Sequence, residues 1–210
     1  MRAFTRGRVL PIASVLTAVF TGSLAAAAHG QITVPPVPPN IEVPAGNQVF
    51  LKGHGVGTQN YICLPSATAA SGFAFALFTP EATLFNDFGQ QVTTHFFGPN
   101  PFEKGTVRAV WQHSRDTSTV WGQAIATSFD PNFVTPGAIP WLLVKVVGAT
   151  NGTAVRTGVL TPSTFIQRLN TVGGAAPDTG CAELKDVGTK AFVAYEADYF
   201  FYKAAIAEVN

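Results

Sequence analysis

Charge is scarce in this 210-residue chain: Asp, Glu, Lys and Arg make up 12% of it, as 13 basic and 12 acidic residues. Proteins that hold nucleic acid or an anionic membrane carry a basic surplus gathered on one face, and this composition offers none, so no nucleic-acid partner is expected. Cysteine is scarcer still. Cys63 and Cys181 are the only two, too few for a disulfide-dense scaffold and too far apart for a CxxC redox or zinc motif. Helical periodicity is nearly absent, which argues against a bundle. No apolar run reaches the roughly 18 to 20 residues that a membrane helix needs.

What is present begins at the N-terminus. Arg2, Arg6 and Arg8 precede an uncharged run from Val9 to Leu24, which ends in Leu24-Ala25-Ala26-Ala27-Ala28. A basic stretch, an apolar stretch and small residues at the cleavage positions spell a signal peptide over 1–28, cut before His29. Cleavage removes three of the 13 basic residues against an unchanged 12 acidic ones, so the mature chain is close to neutral. Export places the protein outside the cell, or in the periplasm or envelope of a Gram-negative host, with no membrane span left. In such a compartment Cys63 and Cys181 are expected to form one disulfide. Closing so long a loop stabilises by about 4 to 5 kcal/mol in the chain-entropy model.

Residues 29–40 form a proline-rich leader, carrying Val34-Pro35-Pro36-Val37-Pro38-Pro39-Asn40. Its prolines hold the backbone extended and remove amide donors, which suits a spacer or a strap across the domain and not a core strand. From 41 to 210, short runs rich in β-branched and aromatic residues alternate with Gly, Pro, Asn and Asp clusters. Strands are expected at 48–52, 59–64, 72–78, 91–97, 106–112, 119–126, 141–147, 164–170 and 192–203. The segment 161–169 could instead open a helix, with Thr161 as cap and Pro162 at the first helical position, although strand is preferred. Asn86-Asp87-Phe88-Gly89, Gly98-Pro99-Asn100-Pro101 and Asn151-Gly152 read as turns. The fold expected is all-β, a single-domain sandwich or barrel of about nine strands with little helix and one disulfide. A monomer is expected.

Several segments are more specific together than alone: Gly57-Thr58-Gln59-Asn60-Tyr61-Ile62-Cys63, Val110-Trp111, Ile139-Pro140-Trp141-Leu142-Leu143, Ile166-Gln167-Arg168-Leu169-Asn170-Thr171-Val172-Gly173-Gly174, and Ala176-Pro177 before Cys181. In this order they resemble a family of secreted bacterial and fungal proteins, domain of unknown function 3455, over about 41–202. The resemblance implies no activity and no catalytic residues. Some fungal relatives carry a malate dehydrogenase label, but Gly53-His54-Gly55-Val56-Gly57 is not the GxGxxG fingerprint, since position 58 is threonine and the segment opens no helix. No cofactor is expected.

Candidate chemistry is sparse. The glycine-rich segment around His54 could let backbone amides approach an anion, or it is simply a turn between strands. Cleavage before His29 would leave a terminal amine and imidazole able to chelate copper, as in secreted lytic polysaccharide monooxygenases. That site needs a second histidine from His54, His95 or His113, and the proline leader holds the terminus poorly for it. No other metal is expected, because the histidines are too scattered for a zinc spacing. No GxSxG elbow occurs, and spacing nominates no acid pair for a glycosidase. Asp116, on a polar hairpin tip flanked by Trp111 and Trp121, is the favoured acid of a ligand-facing loop, against the plainer reading of an Asp-led turn. Arg168 could take a carboxylate, although a structural arginine that pairs with an acid and holds loops together is preferred. Asn151-Gly152-Thr153 is a glycosylation sequon if the host secretes through an endoplasmic reticulum.

Together these features favour a non-enzymatic extracellular binding module for a glycan or another cell-surface ligand, with Trp111, Asp116, Trp121 and His54 as contact residues. The alternatives are a secreted enzyme, either a copper oxidase built on His29 or an acid-pair hydrolase, and a structural protein of the envelope or matrix.

Overall fold

The computed structural model describes residues 31–206 together with Met1 and Ala3. The signal-peptide assignment over 1–28 and the His29 copper site lie outside the described residues. From Ile32 onward the chain is one compact unit.

The β-branched and aromatic runs form eight strands: β1 (Asn47–Pro65), β2 (Phe73–Phe85), β3 (Gln91–Asn100), β4 (Thr106–His113), β5 (Thr119–Ser128), β6 (Trp141–Thr150), β7 (Ser163–Gly173) and β8 (Lys190–Ala204). Each pairs antiparallel with the next, and β8 returns to β1, so the sheet closes into a barrel without an edge. Among the described residues no α-helix occurs, and three single-turn 3-10 segments are the remaining regular structure. The helical alternative for 161–169 gives way to β7. Its aromatic and β-branched residues have partners on both sides, and Ile166 and Arg168 fall on one face while Gln167 and Leu169 fall on the other.

The two strands expected at 48–52 and 59–64 are one. Gly53-His54-Gly55-Val56-Gly57 is no turn but the middle of β1, where it pairs with β2 and β8 together. Close approach explains the glycines: a Cβ on Gly55 would lie 2.8 Å from the Tyr199 ring, and one on Gly57 would meet the Glu81 carbonyl. The turn expected at Gly98 also moves. Gly98 to Asn100 finish β3, and reversal occurs over Pro101–Glu103, with Lys104 and Gly105 at φ 54 and 83. Asn86 does open the β2–β3 turn, its Oδ1 accepting from the Phe88 and Gln90 amides before Gly89 at φ 72.

Alternation along the strands sorts the apolar residues into two sets. Inside the barrel, Leu84, Trp111, Val120, Val144, Ile166, Tyr195, Ala197, Tyr199 and Phe201 are buried, and Leu160 of the β6–β7 loop joins them. A second cluster, Trp141, Leu143, Leu169, Phe200 and Tyr202, is covered by the proline-rich segment, which contributes Ile32, Val34, Val37, Ile41 and Val43. Here the segment serves as a strap. Proline leaves it few amide donors to satisfy, and two side-chain bonds fix it: Gln167 Nε2 donates to the Ile41 carbonyl (2.7 Å), and Asn40 Nδ2 to Thr127 (2.8 Å). The Tyr202 hydroxyl donates to Gln167 Oε1, orienting that amide.

The Cys63–Cys181 disulfide is present, with Cα atoms 5.4 Å apart across 118 residues. It ties the C-terminal end of β1 to the β7–β8 connection. No helix among the described residues is long and apolar enough to cross a membrane.

Candidate functional site

An up-and-down barrel of eight strands is the size at which the interior either fills with side chains or holds one small ligand. In this barrel the two halves differ. One end is closed by the β6–β7 loop, whose Leu160 is fully buried. Toward the other end the interior opens into a cavity of about 520 Å³.

Inward-facing residues of most strands make its wall. Gln59 and Tyr61 come from β1, His95 and Phe97 from β3, Ala109 and Trp111 from β4, and Leu142 and Val144 from β6; Ile166 and Arg168 of β7 and Tyr199 of β8 complete it. Ile139 and Pro140, just before β6, lean over from the β5–β6 connection. The period of two that defines a strand puts each such pair on the same face. Ligand sites of this kind are mostly apolar with a few fixed polar groups.

The polar groups are held firmly. His95 and Trp111 are opposite one another on β3 and β4, and their rings stack at 4.3 Å, 10° from parallel. His95 Nδ1 lies 2.9 Å from the Val110 carbonyl, which can only accept, so the proton sits on Nδ1 and Nε2 is a bare acceptor. Burial drives the imidazole down to about 3; the Val110 bond opposes that and the nearby Arg168 charge adds to it. The Tyr195 and Tyr199 hydroxyls are 2.9 Å apart, and burial raises both phenols. Tyr61 donates to the Gly174 carbonyl at 2.6 Å.

Arg168 is 6% exposed. Its Nε and Nη2 donate to the Pro140 carbonyl (3.3 and 2.9 Å). The acid partner expected for it is missing: among the described residues no ion pair to Arg168 within 4.0 Å is formed. The other cation of the wall, Arg108, is engaged by both oxygens of Glu103 at 2.8 Å. That contact, with a second bond from Asn100, brings the Glu103 carboxyl down to about 2.

Of the residues singled out in the sequence, the cavity gathers Trp111, His95 and Arg168. Trp121 is on β5 outside the wall, half-buried, with Phe102 edge-on at 6.1 Å. His54 is exposed on β1, its Nδ1 3.0 Å from Asp198 and its Nε2 3.5 Å from Glu196. No group of three or more metal-ligating side chains occurs among the described residues. Asp116 sits at the far end of the barrel, where both its oxygens are engaged. Oδ1 accepts from the Ser118 amide and hydroxyl and lies 2.9 Å from His113 Nδ1, while Oδ2 accepts from the Val159 amide. Burial alone would raise this carboxyl, but the Val159 and Ser118 bonds and the His113 charge outweigh it and bring the group to about 2. Asp116 is therefore the staple that holds the β6–β7 loop over the closed end.

Gln59, His95, Arg168 and Tyr199 were not foreseen as a set. The available signal was polar residues two apart from apolar ones on strands, as in His95 and Phe97 or Ile166 and Arg168. Without the barrel's inside and outside, that signal does not say which face is which.

A family model described as "Protein of unknown function (DUF3455)" matches residues 44–203. No curated protein and no solved structure matches.

Proposed function

Since the chain belongs to this family of unknown function and takes no activity from it, we propose from its own geometry that it is a non-enzymatic binding module that encloses a small, apolar-bodied molecule inside its barrel. One observation carries this reading: the barrel is filled at one end and hollow at the other, and the hollow, about 520 Å³, is within the range of about 300 to 1,000 Å³ typical of small-ligand sites. Its wall is mainly aliphatic and aromatic, with polar groups anchored in fixed geometry, the pattern that orients a ligand instead of reacting with it. Among the described residues no Asp or Glu is in the wall, so a hydrolase built on an acid pair has no support there. The ligand is met outside the cytoplasm, in keeping with the Cys63–Cys181 disulfide, since oxidising compartments preserve such bonds. A cell-surface glycan fits less well, because the enclosed space is apolar.

The test uses N-phenyl-1-naphthylamine, a neutral dye whose emission rises in apolar surroundings. Saturable enhancement at one dye per chain is expected. Ala109→Trp, which fills the cavity, and Val107→Trp, which crowds its exposed rim, are expected to abolish or weaken it while the circular dichroism stays that of a β protein. Absence of enhancement, or enhancement indifferent to both substitutions, refutes an interior site.

A further inference from the structure

A guanidinium is charged at every physiological pH and has five N–H donors. Arg168 is 6% exposed, and two of its donors converge on one neutral acceptor, the Pro140 carbonyl. Burying a charge without a counter-charge is costly in proteins even after relaxation. Folded chains meet that cost with a carboxylate, as this one does for Arg108 with Glu103. For Arg168 no such pair forms among the described residues.

The rest of the wall does not compensate. Among the described residues it contains no Asp or Glu; the charge of Arg168 lowers Tyr61, His95, Tyr195 and Tyr199, and a side-chain hydrogen bond from Arg168 lowers Tyr199 further, so what it meets besides Pro140 is a neutral phenol and not a counter-ion. His95 supplies no second cation, being neutral. Trp111 adds an Nε1–H donor that is buried without an acceptor among the described residues. The cavity thus has one positive charge without a counter-ion in an apolar surround, with a spare indole donor and two spare acceptors, His95 Nε2 and Gln59 Oε1, about it. An oxyanion on an apolar body matches the charge and the surround.

Resting on the reading of the cavity as a ligand site, we infer that its ligand is a small organic acid, held by a charge-assisted pair between its carboxylate and Arg168 with its apolar body against Trp111, Leu142, Val144 and Ile166. Arginine is the side chain suited to this task, because its planar fork matches the two oxygens of a carboxylate. A neutral ligand of the same shape would leave the buried charge as it was. The site therefore discriminates by charge more than by shape.

The experiment is calorimetric titration of the intact protein at pH 7.4 with 2-naphthoic acid and with 2-naphthamide, which share a shape and differ in charge. The acid is expected to bind at least thirtyfold tighter than the amide. Arg168→Met is expected to erase that ratio while leaving the amide within threefold, and Arg168→Lys to retain part of it, since lysine keeps the charge but not the fork. If Arg168→Met does not fold, the wild-type ratio and its partial retention in Arg168→Lys decide the matter alone. Equal affinities for acid and amide overturn the carboxylate inference and leave the cavity standing, as does binding of N-phenyl-1-naphthylamine without either naphthyl compound. Chloride or phosphate that displaces the acid at comparable concentration also overturns it, by making the site one for a free inorganic ion. Failure of all three aromatic probes to bind removes the interior site and this inference with it.

Discussion

The imidazole of His95 lies flat on the indole of Trp111, 4.3 Å between centroids and 10° from parallel, and the two residues are cross-strand partners on β3 and β4. Cross-strand aromatic pairs of this kind stabilise a sheet by a few tenths to about 1 kcal/mol. Here the pair also forms part of the wall of the hollow end, so the contact that closes the barrel locally is the surface that a ligand meets.

His95 is held neutral by burial, down to about 3. In the unfolded chain it titrates at its ordinary value of 6.5, so as pH falls the unfolded state takes up the proton first. Stability is then full above about pH 6.5 and falls by about 1.4 kcal/mol per pH unit between there and pH 3. Chemical denaturation at a series of pH values should show that slope and show it flattened in His95→Phe. Long-range proton–nitrogen spectra should find a neutral ring protonated on Nδ1 from pH 5 to 8. A ring titrating near pH 6.5 in the folded protein contradicts the burial.

The three tryptophans separate by position. Trp111 is on the cavity wall, Trp121 is on the outside of β5, and Trp141 is beneath the strap. Addition of 2-naphthoic acid should change intrinsic fluorescence through Trp111, so Trp111→Phe is expected to lose most of the response while Trp121→Phe and Trp141→Phe keep it. A response lost with Trp121→Phe instead moves the site to the outer surface.

Asp116 fastens the closed end. Asp116→Ala removes four acceptor contacts from the Ser118 amide, the Ser118 hydroxyl, the Val159 amide and the His113 ring, and should cost about 2 kcal/mol or more. Because its folded value of about 2 is below the ordinary 3.8, the contribution is present above pH 4 and fades between pH 4 and pH 2. Denaturation curves of wild type and variant should therefore draw together as the pH falls through about 2. Naphthoate affinity at pH 7.4 should be unchanged, since Asp116 is at the opposite end; a loss of binding would make the two ends interdependent.

Cys63–Cys181 joins the strand that bears Gln59 and Tyr61 to the β7–β8 connection at the hollow end. Replacing both cysteines by alanine should lower stability by about 4 kcal/mol on the chain-entropy model. The barrel should still close, because β1 retains its pairing with β2 and β8. A loss below about 1 kcal/mol in denaturant titration would mean that the reduced unfolded chain is already compact.

Much of the architecture was legible because it is written locally. β-branched and aromatic runs mark strands, Asn86 and Gly89 mark a turn through the backbone conformations they tolerate, and prolines mark a segment unable to join a sheet. One disulfide followed from two cysteines in a chain that reads as exported. Where the local signal misled, tertiary packing had overruled it. Gly53, Gly55 and Gly57 look like a turn, yet they allow β2 and β8 to approach a single long strand, and glycine has the same appearance in either setting. Asp116, read either as a ligand-facing acid or as the head of a turn, has Oδ1 engaged by Ser118 and His113 of its own hairpin and Oδ2 by the Val159 amide of the β6–β7 loop, contacts that no local pattern announces.

The sequence by itself determined that this is a β protein belonging to one family, with a proline-rich segment, spacer or strap, ahead of it and a cross-link between two distant positions. Only the tertiary structure decided what is inside. Closure of β8 onto β1 turns alternating residues into a wall and an exterior, and that choice of face is invisible along a strand, where either set could point inward. It is this closure that draws His95, Trp111, Arg168 and Tyr199 from four strands into one hollow, and leaves a buried positive charge there without a carboxylate beside it.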